Sequence, residues 1–367
     1  MRRLAALTLV VSLLGCRDSS VELINSRHIP AIKGFTYTSF SADGFTLGSE
    51  RNAVSDLQSQ TGCTWIALTV FEYQDSSSST NIEPNTTGVN PLTHRPWSTT
   101  STMDDIRTGI REARSRNMNI MLKPHVDLYS GQWRAAILPD HDGKWFASYS
   151  TMLMKYARLA AESNIEILCI GTELVRATQR QFTAQWRTLI STIRRQYHGK
   201  LVYASNWSGA FDYGINWPEY DQVEFWNELD YIGIDAYYPL TDHRDDPQPS
   251  FAAALMKLRA PSAAFRILSA RFGKPILITE IGIQSVKGAL AAPWDYSIGA
   301  SNASADNSVQ DFYYRAIITG FGSEPWCTGV FWWNWESVVS PNESTNYTPR
   351  NKRAAITLKK WYTNSAL

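Results

Sequence analysis

The sequence predicts an α/β fold, a single (β/α)8 TIM barrel with long βα loops after strands 2 and 7. Three observations carry this. Eight short β-rich runs alternate with helical patterns along most of the 367 residues. Several of the runs are apolar without alternation, as expected for strands buried on both faces of a parallel sheet. No glycine fingerprint follows the first run, as it would in an open nucleotide-binding sheet. A barrel commonly uses about 250 residues or more, so the length does not call for a second domain.

The chain begins with the positive Met1-Arg2-Arg3, followed by an apolar run at 4–14. That run is too short to span a bilayer and reads as a secretory signal. It ends Leu13-Leu14-Gly15-Cys16, which resembles the bacterial lipobox. The expectation is a lipoprotein signal at 1–15, lipid on Cys16, a tether at 16–30 and the barrel at 31–367. The protein would be exported and held at a membrane by that lipid alone.

The strands are read in order. Ile32-Lys33-Gly34-Phe35-Thr36 is the first, and 64–70, 119–123 and 165–170 follow. Leu201-Val202-Tyr203-Ala204 is the fifth, and 231–235, 275–279 and 329–333 complete the set. Helical periodicity fills 104–116, with Ile106, Ile110 and Ala113 on one face and Thr102 as a cap. Similar patterns cover 145–163, 182–197, 251–272, 308–319 and 351–362. Pro261 is expected to break or kink the pattern at 251–272. The polar stretches 75–102 and 288–306 read as long loops on one rim.

Composition narrows the function. The chain is 44% hydrophobic with a formal charge of +1, which excludes a disordered chain. It lacks the basic surplus of a nucleic-acid binder. Fourteen Trp and 17 Tyr exceed what core filling calls for, and exposed rings commonly stack on sugars. Cys63, Cys169 and Cys327 are odd in number and widely spaced, so they are expected to be buried thiols and not a disulfide framework. There is no G-x-S-x-G elbow, H-E-x-x-H helix, phosphate loop or EF-hand loop, and no metal or cofactor is called for.

In such a barrel the site lies at the C-terminal strand ends. The fourth strand ends Ile170-Gly171-Thr172-Glu173 and the seventh Ile278-Thr279-Glu280-Ile281-Gly282. Each delivers one carboxylate to the mouth. Hydrolysing a glycoside through a covalent intermediate needs two carboxyl groups about 5–5.5 Å apart. Lys123 and His125 lie two apart on one strand face. They would bind sugar hydroxyls and favour an ionised carboxylate, or form a salt bridge beneath the site. Tyr237 and Tyr238 end the sixth strand, Tyr238 being preferred as a donor to Glu280, and Asp235 is a pocket acceptor or a structural carboxylate. Trp333 and Trp335 share a face, one of them flooring the sugar. Trp207 and Trp294, and less so Trp97 and Trp145, are candidates for outer subsites. Glu72 is a rim carboxylate with no assigned role.

These motifs resemble clan A of the retaining glycoside hydrolases, and their wording is most similar to glycoside hydrolase family 113, the β-1,4-mannanases. The matching pieces are Lys33-Gly34-Phe35-Thr36, Leu122-Lys123-Pro124-His125, Gly171-Thr172-Glu173-Leu174, Ile234-Asp235-Ala236-Tyr237-Tyr238-Pro239, Thr279-Glu280-Ile281-Gly282 and Phe331-Trp332-Trp333-Asn334-Trp335. The resemblance implies that Glu173 is the acid/base and Glu280 the nucleophile, acting on a polysaccharide or oligosaccharide. Thr172 stands where most of the clan has an Asn that bonds the sugar 2-hydroxyl, and Asn206 is a candidate to replace it. The alternatives are another clan A β-glycanase, a glucanase or galactanase, or a non-catalytic glycan-binding surface lipoprotein.

Overall fold

The computed structural model describes residues 28–299 and 303–365. Cys16 and the signal lie outside them, as does most of the tether. Eight parallel strands close in chain order into one barrel. They are β1 (Ile32–Thr38), β2 (Trp65–Gln74), β3 (Asn119–Leu128), β4 (Ile167–Thr172), β5 (Lys200–Asn206), β6 (Tyr231–Asp235), β7 (Ile276–Ile281) and β8 (Cys327–Glu336). The helices are α1 (Gly44–Glu50), α2 (Ala53–Thr61), α3 (Met103–Ser115), α4 (Lys144–Glu162), α5 (Thr183–Arg194), α6 (Phe251–Phe272), α7 (Asn307–Ile317) and α8 (Arg353–Thr363). Among the described residues no helix is long and apolar enough to cross a membrane.

Strand alternation builds two cores. Outward residues pack with the helices in one continuous layer that includes Ile66, Leu68, Trp186 and Trp332. Inward residues fill the barrel floor, where Ile32, Ala67, Met121, Ile167, Cys169, Val202, Leu277 and Phe331 form a separate cluster. Two residues further along, the inward positions of β2, β3 and β7 are polar, and Asp235 of β6 joins them. Thr69, Lys123, Asp235 and Thr279 are fully buried there. The floor is thus greasy and the mouth polar, and the site sits on the polar layer. Cys63, Cys169 and Cys327 are buried free thiols.

Several elements depart from expectation. No helix was read between β1 and β2, because GFTLGSE and AVSDLQSQT carry little helical propensity or amphipathic pattern. Tertiary contact replaces it: the Asp105 carboxylate, on α3, accepts from the N–H groups of Phe45 and Thr46 and caps α1. Thr102 caps α3 as expected, accepting from the Asp105 N–H at 3.1 Å. Helix α6 runs unbroken through Pro261 from a Ser250 cap to Gly273 in the left-handed region. Between β5 and β6, where no helical pattern was read, there is indeed no α-helix, only three short 3-10 turns.

Candidate active site

Glu173 follows β4 directly at φ 51°, a left-handed conformation that costs a non-glycine residue on the order of 1 kcal/mol or more. Its surroundings impose that conformation. The Glu173 N–H donates to the Ala204 carbonyl at 2.8 Å, and the Leu174 N–H donates to the Tyr203 hydroxyl at 2.8 Å. The residue is 8% exposed and its carboxylate meets three donors. Asn206 Nδ2 reaches Oε1 at 2.6 Å. Trp133 Nε1 and an Arg134 guanidinium nitrogen reach Oε2 at 2.8 and 3.2 Å. Arg134 is itself held by Asp127 at 2.6 and 2.9 Å.

Glu280 comes from β7, where the pairing with β6 slips so that Asp235 faces Glu280. Thr279 and Glu280 both turn toward partners inside the mouth. The Lys123 ammonium contacts Glu280 Oε1 directly and Asp235 at 3.2 Å, and the Tyr237 hydroxyl donates to Oε2 at 3.1 Å. The Thr279 hydroxyl reaches Asp235 at 2.6 Å. Burial, and then the Glu173 charge, push the Glu280 carboxyl above its ordinary value, while Lys123 pulls it down. Asp235 is driven well above the carboxylate range by burial and the Glu280 charge. Lys123 stays protonated: burial would strip its proton, but the two carboxylates outweigh that. His125 lies 3.7 Å from Glu280. Burial, with Arg134 and Lys123 nearby, holds its imidazole well below its usual pKa and hence neutral. Neither ring nitrogen has a protein partner.

Both glutamates line one cavity of about 680 Å³ at the strand ends. His125, Asn206, Trp207, Tyr237, Trp294 and Trp333 line it too. Trp207 and Trp294 pack on one another at 5.4 Å, and the loop after β7 carries Tyr296 to the same wall. Among the described residues no group of three His, Cys, Asp or Glu is arranged to hold a metal.

Other expectations are corrected. Lys123 and Asp235 are fully buried beneath Glu280, so they act on the carboxylate and not on a ligand. Tyr237, not Tyr238, meets Glu280. Tyr238 instead packs on Phe265 and Phe321, because β6 ends at Asp235 and the chain turns there. Trp335 does not share a face with Trp333. A register shift between Phe35 and Tyr37 against β8 sends Trp335 outward, where Phe35 and the Arg350 guanidinium cover it. Trp145 is fully buried, stacked on Tyr149 and donating to Gln74. Trp97 packs near Tyr129. Glu72 is buried against Lys155 and the Tyr156 hydroxyl.

Trp133, Arg134, Asp127 and Tyr296 were not read as site residues. Asp127 had a signal, since it continues the Lys123–His125 face by one more step of two. Arg134 and Trp133 had none, because a loop turn aims them.

A second layer lies under Asn206. Glu219 is fully buried and accepts from the Asn206 N–H at 2.7 Å, the Thr178 hydroxyl at 2.9 Å and the Tyr203 hydroxyl at 2.5 Å. Burial pushes its carboxyl up to about 8 against those hydrogen bonds.

Residues 35–352 match the model of Glycoside Hydrolase Family 113. The chain belongs to glycoside hydrolase family 113. It is therefore a glycoside hydrolase. A solved family 113 β-1,4-mannanase complex is 24% identical, covering 90% of this chain and 98% of its own, with a TM-score of 0.74. The family 113 β-mannanase AaManA from Alicyclobacillus acidocaldarius, in complex with ManMIm, is 23% identical, covering 91% and 97%, at 0.73. A β-glucuronidase from Ruminococcus gnavus is 11% identical at 0.55, and this chain spans 50% of it. These likenesses establish a shared barrel fold. No curated protein matches the family 113 chain in sequence.

Proposed function

We propose that the chain cleaves β-1,4 linkages of a mannan-type polysaccharide with retention of configuration, by double displacement between Glu173 and Glu280. One observation carries this reading: two glutamates, one directly after β4 and one on β7, line one cavity with unlike partners. Glu280 has a cation and a phenol against it, which favour a carboxylate ready to attack. Glu173 is steered by side chains from the loop after β3 and from the end of β5.

In the first step Glu173 gives a proton to the glycosidic oxygen, the bond from that oxygen to the anomeric carbon breaks, and Glu280 bonds to that carbon. In the second, Glu173 takes a proton from water, the water oxygen attacks the same carbon and the ester to Glu280 breaks. The preference for mannan is supported by the six sequence motifs and by the likeness to solved family 113 β-mannanases.

The test is product analysis on linear mannan, glucan and galactan oligosaccharides, with two variants. Glu173→Ala and Glu280→Ala should each lose on the order of 10³-fold in turnover, roughly 4 kcal/mol of barrier. Azide should restore Glu280→Ala with a glycosyl azide of inverted configuration. Full activity of either variant, or no azide adduct, would remove the assignment. Faster cleavage of glucan or galactan would keep the mechanism and change the substrate.

A further inference from the structure

We propose that the loop after β5 forms the subsite for the departing sugar, with Phe211 as its stacking platform, and that this subsite takes a neutral sugar and rejects an acidic one. This rests on the roles just proposed for Glu173 and Glu280. The acid hands its proton to the oxygen that leaves, so the outgoing sugar must lie on the Glu173 side of the cavity.

The loop after β5 starts at that side. It follows Asn206, the last residue of β5, whose amide holds Glu173. Phe211, Asp212 and Tyr213 continue along the cavity wall. Phe211 is 63% exposed, although the loop bearing it is braced. Ala210 and Ile215 pack with Ala135 and Val175 in a small cluster of their own. The Tyr213 ring lies under the Arg176 guanidinium at 4.8 Å, and its hydroxyl accepts from Gln132 at 3.4 Å. A large apolar ring left in water on a fixed loop contributes little to folding. It does offer a flat apolar face to the C–H side of a pyranose.

The charge on this wall selects the sugar. Asp212 and Glu173 line it, and Arg134 is the one arginine or lysine lining the cavity among the described residues. Asp127 and Glu173 already engage Arg134. Arg176 donates to the Ala136 carbonyl and does not line the cavity. A uronate on the departing side would therefore meet carboxylates without a free cation.

The experiment compares two substrates with the same sugars on the glycosyl side. One is an oligosaccharide with further sugars on the departing side. The other is an activated glycosyl fluoride, whose leaving group has no ring. In Phe211→Ala the ratio of kcat/KM for oligosaccharide over fluoride should fall at least tenfold. In Trp217→Ala, an exposed residue of the same loop that does not line the cavity, it should stay within twofold. An oligosaccharide with a uronic acid as departing sugar should be cleaved at least 100-fold more slowly than the neutral one, and Asp212→Arg should narrow that gap. Equal losses on both substrates, an unchanged ratio in Phe211→Ala, or ready cleavage of the uronic substrate overturns the proposal. Should the wild-type enzyme prefer glucan or galactan, the mannan reading falls while the same ratio is measured on the preferred series.

Discussion

Glu280 attacks only as a carboxylate, and its surroundings pull its proton both ways. Burial and the Glu173 charge raise its pKa, and Lys123 is the largest influence lowering it. Activity should therefore fall on the acid side as Glu280 takes up its proton. Removing the cation removes the opposing pull, so in Lys123→Met the acid limb of the kcat/KM profile should move to higher pH. A limb that stayed in place or moved to lower pH would refute this role for Lys123. The two glutamates were legible in the sequence because each ends an apolar strand. Lys123 was legible as one of a pair on a strand face, but which of its open roles it played depended on depth, since the polar layer beneath the mouth is set by all eight strands together. Tyr238 was misread for Tyr237 because alternation stops where β6 stops.

Buried polar groups set the behaviour of whole elements as well. Glu219 ties the end of β5 to Tyr203 and Thr178, and its carboxyl lies at about 8 in the folded chain. An unfolded glutamate titrates at about 4.3. Between those values the native state holds the proton and the unfolded state does not, so this group's contribution to stability declines as pH rises through that window. Glu219→Gln has no such proton to lose, and its Tm relative to wild type should rise from pH 4.5 to 8. A difference that stayed flat or fell would refute this. In α6, Pro261 leaves the Lys257 carbonyl without its helical donor and yet the helix continues. Pro261→Ala should stabilise the protein by roughly 1–3 kcal/mol, read from a higher denaturation midpoint at unchanged slope. Helix α6 was legible from its amphipathic pattern over 251–272, although Pro261 was expected to break or kink it. Helices α1 and α2 were not, because the Asp105 cap that supports α1 comes from 60 residues further along the chain.

At the scale of the molecule, the alternation of strand and helix predicted the barrel, and the missing helix between β5 and β6 marks where it departs from the ideal. The first part of that segment, 207–213, lines the cavity, and 3-10 turns, with Tyr220, Phe225 and Trp226, cover the outside of the barrel in the helix's place. That exchange could not be seen from the strands, which keep their spacing through it. Arg134 and Trp133 were hidden for a related reason, since loops after β3 and β5 meet only in space. The seam of the barrel also has a consequence for biogenesis. Strand β1 pairs with β8, Ile32 lying beside Gly329. Until β8 has left the ribosome, the growing chain presents two open sheet edges and an unroofed interior. Neither edge can find its proper mate before synthesis is nearly complete, so a nascent chain stalled before residue 327 should need a chaperone to stay unaggregated.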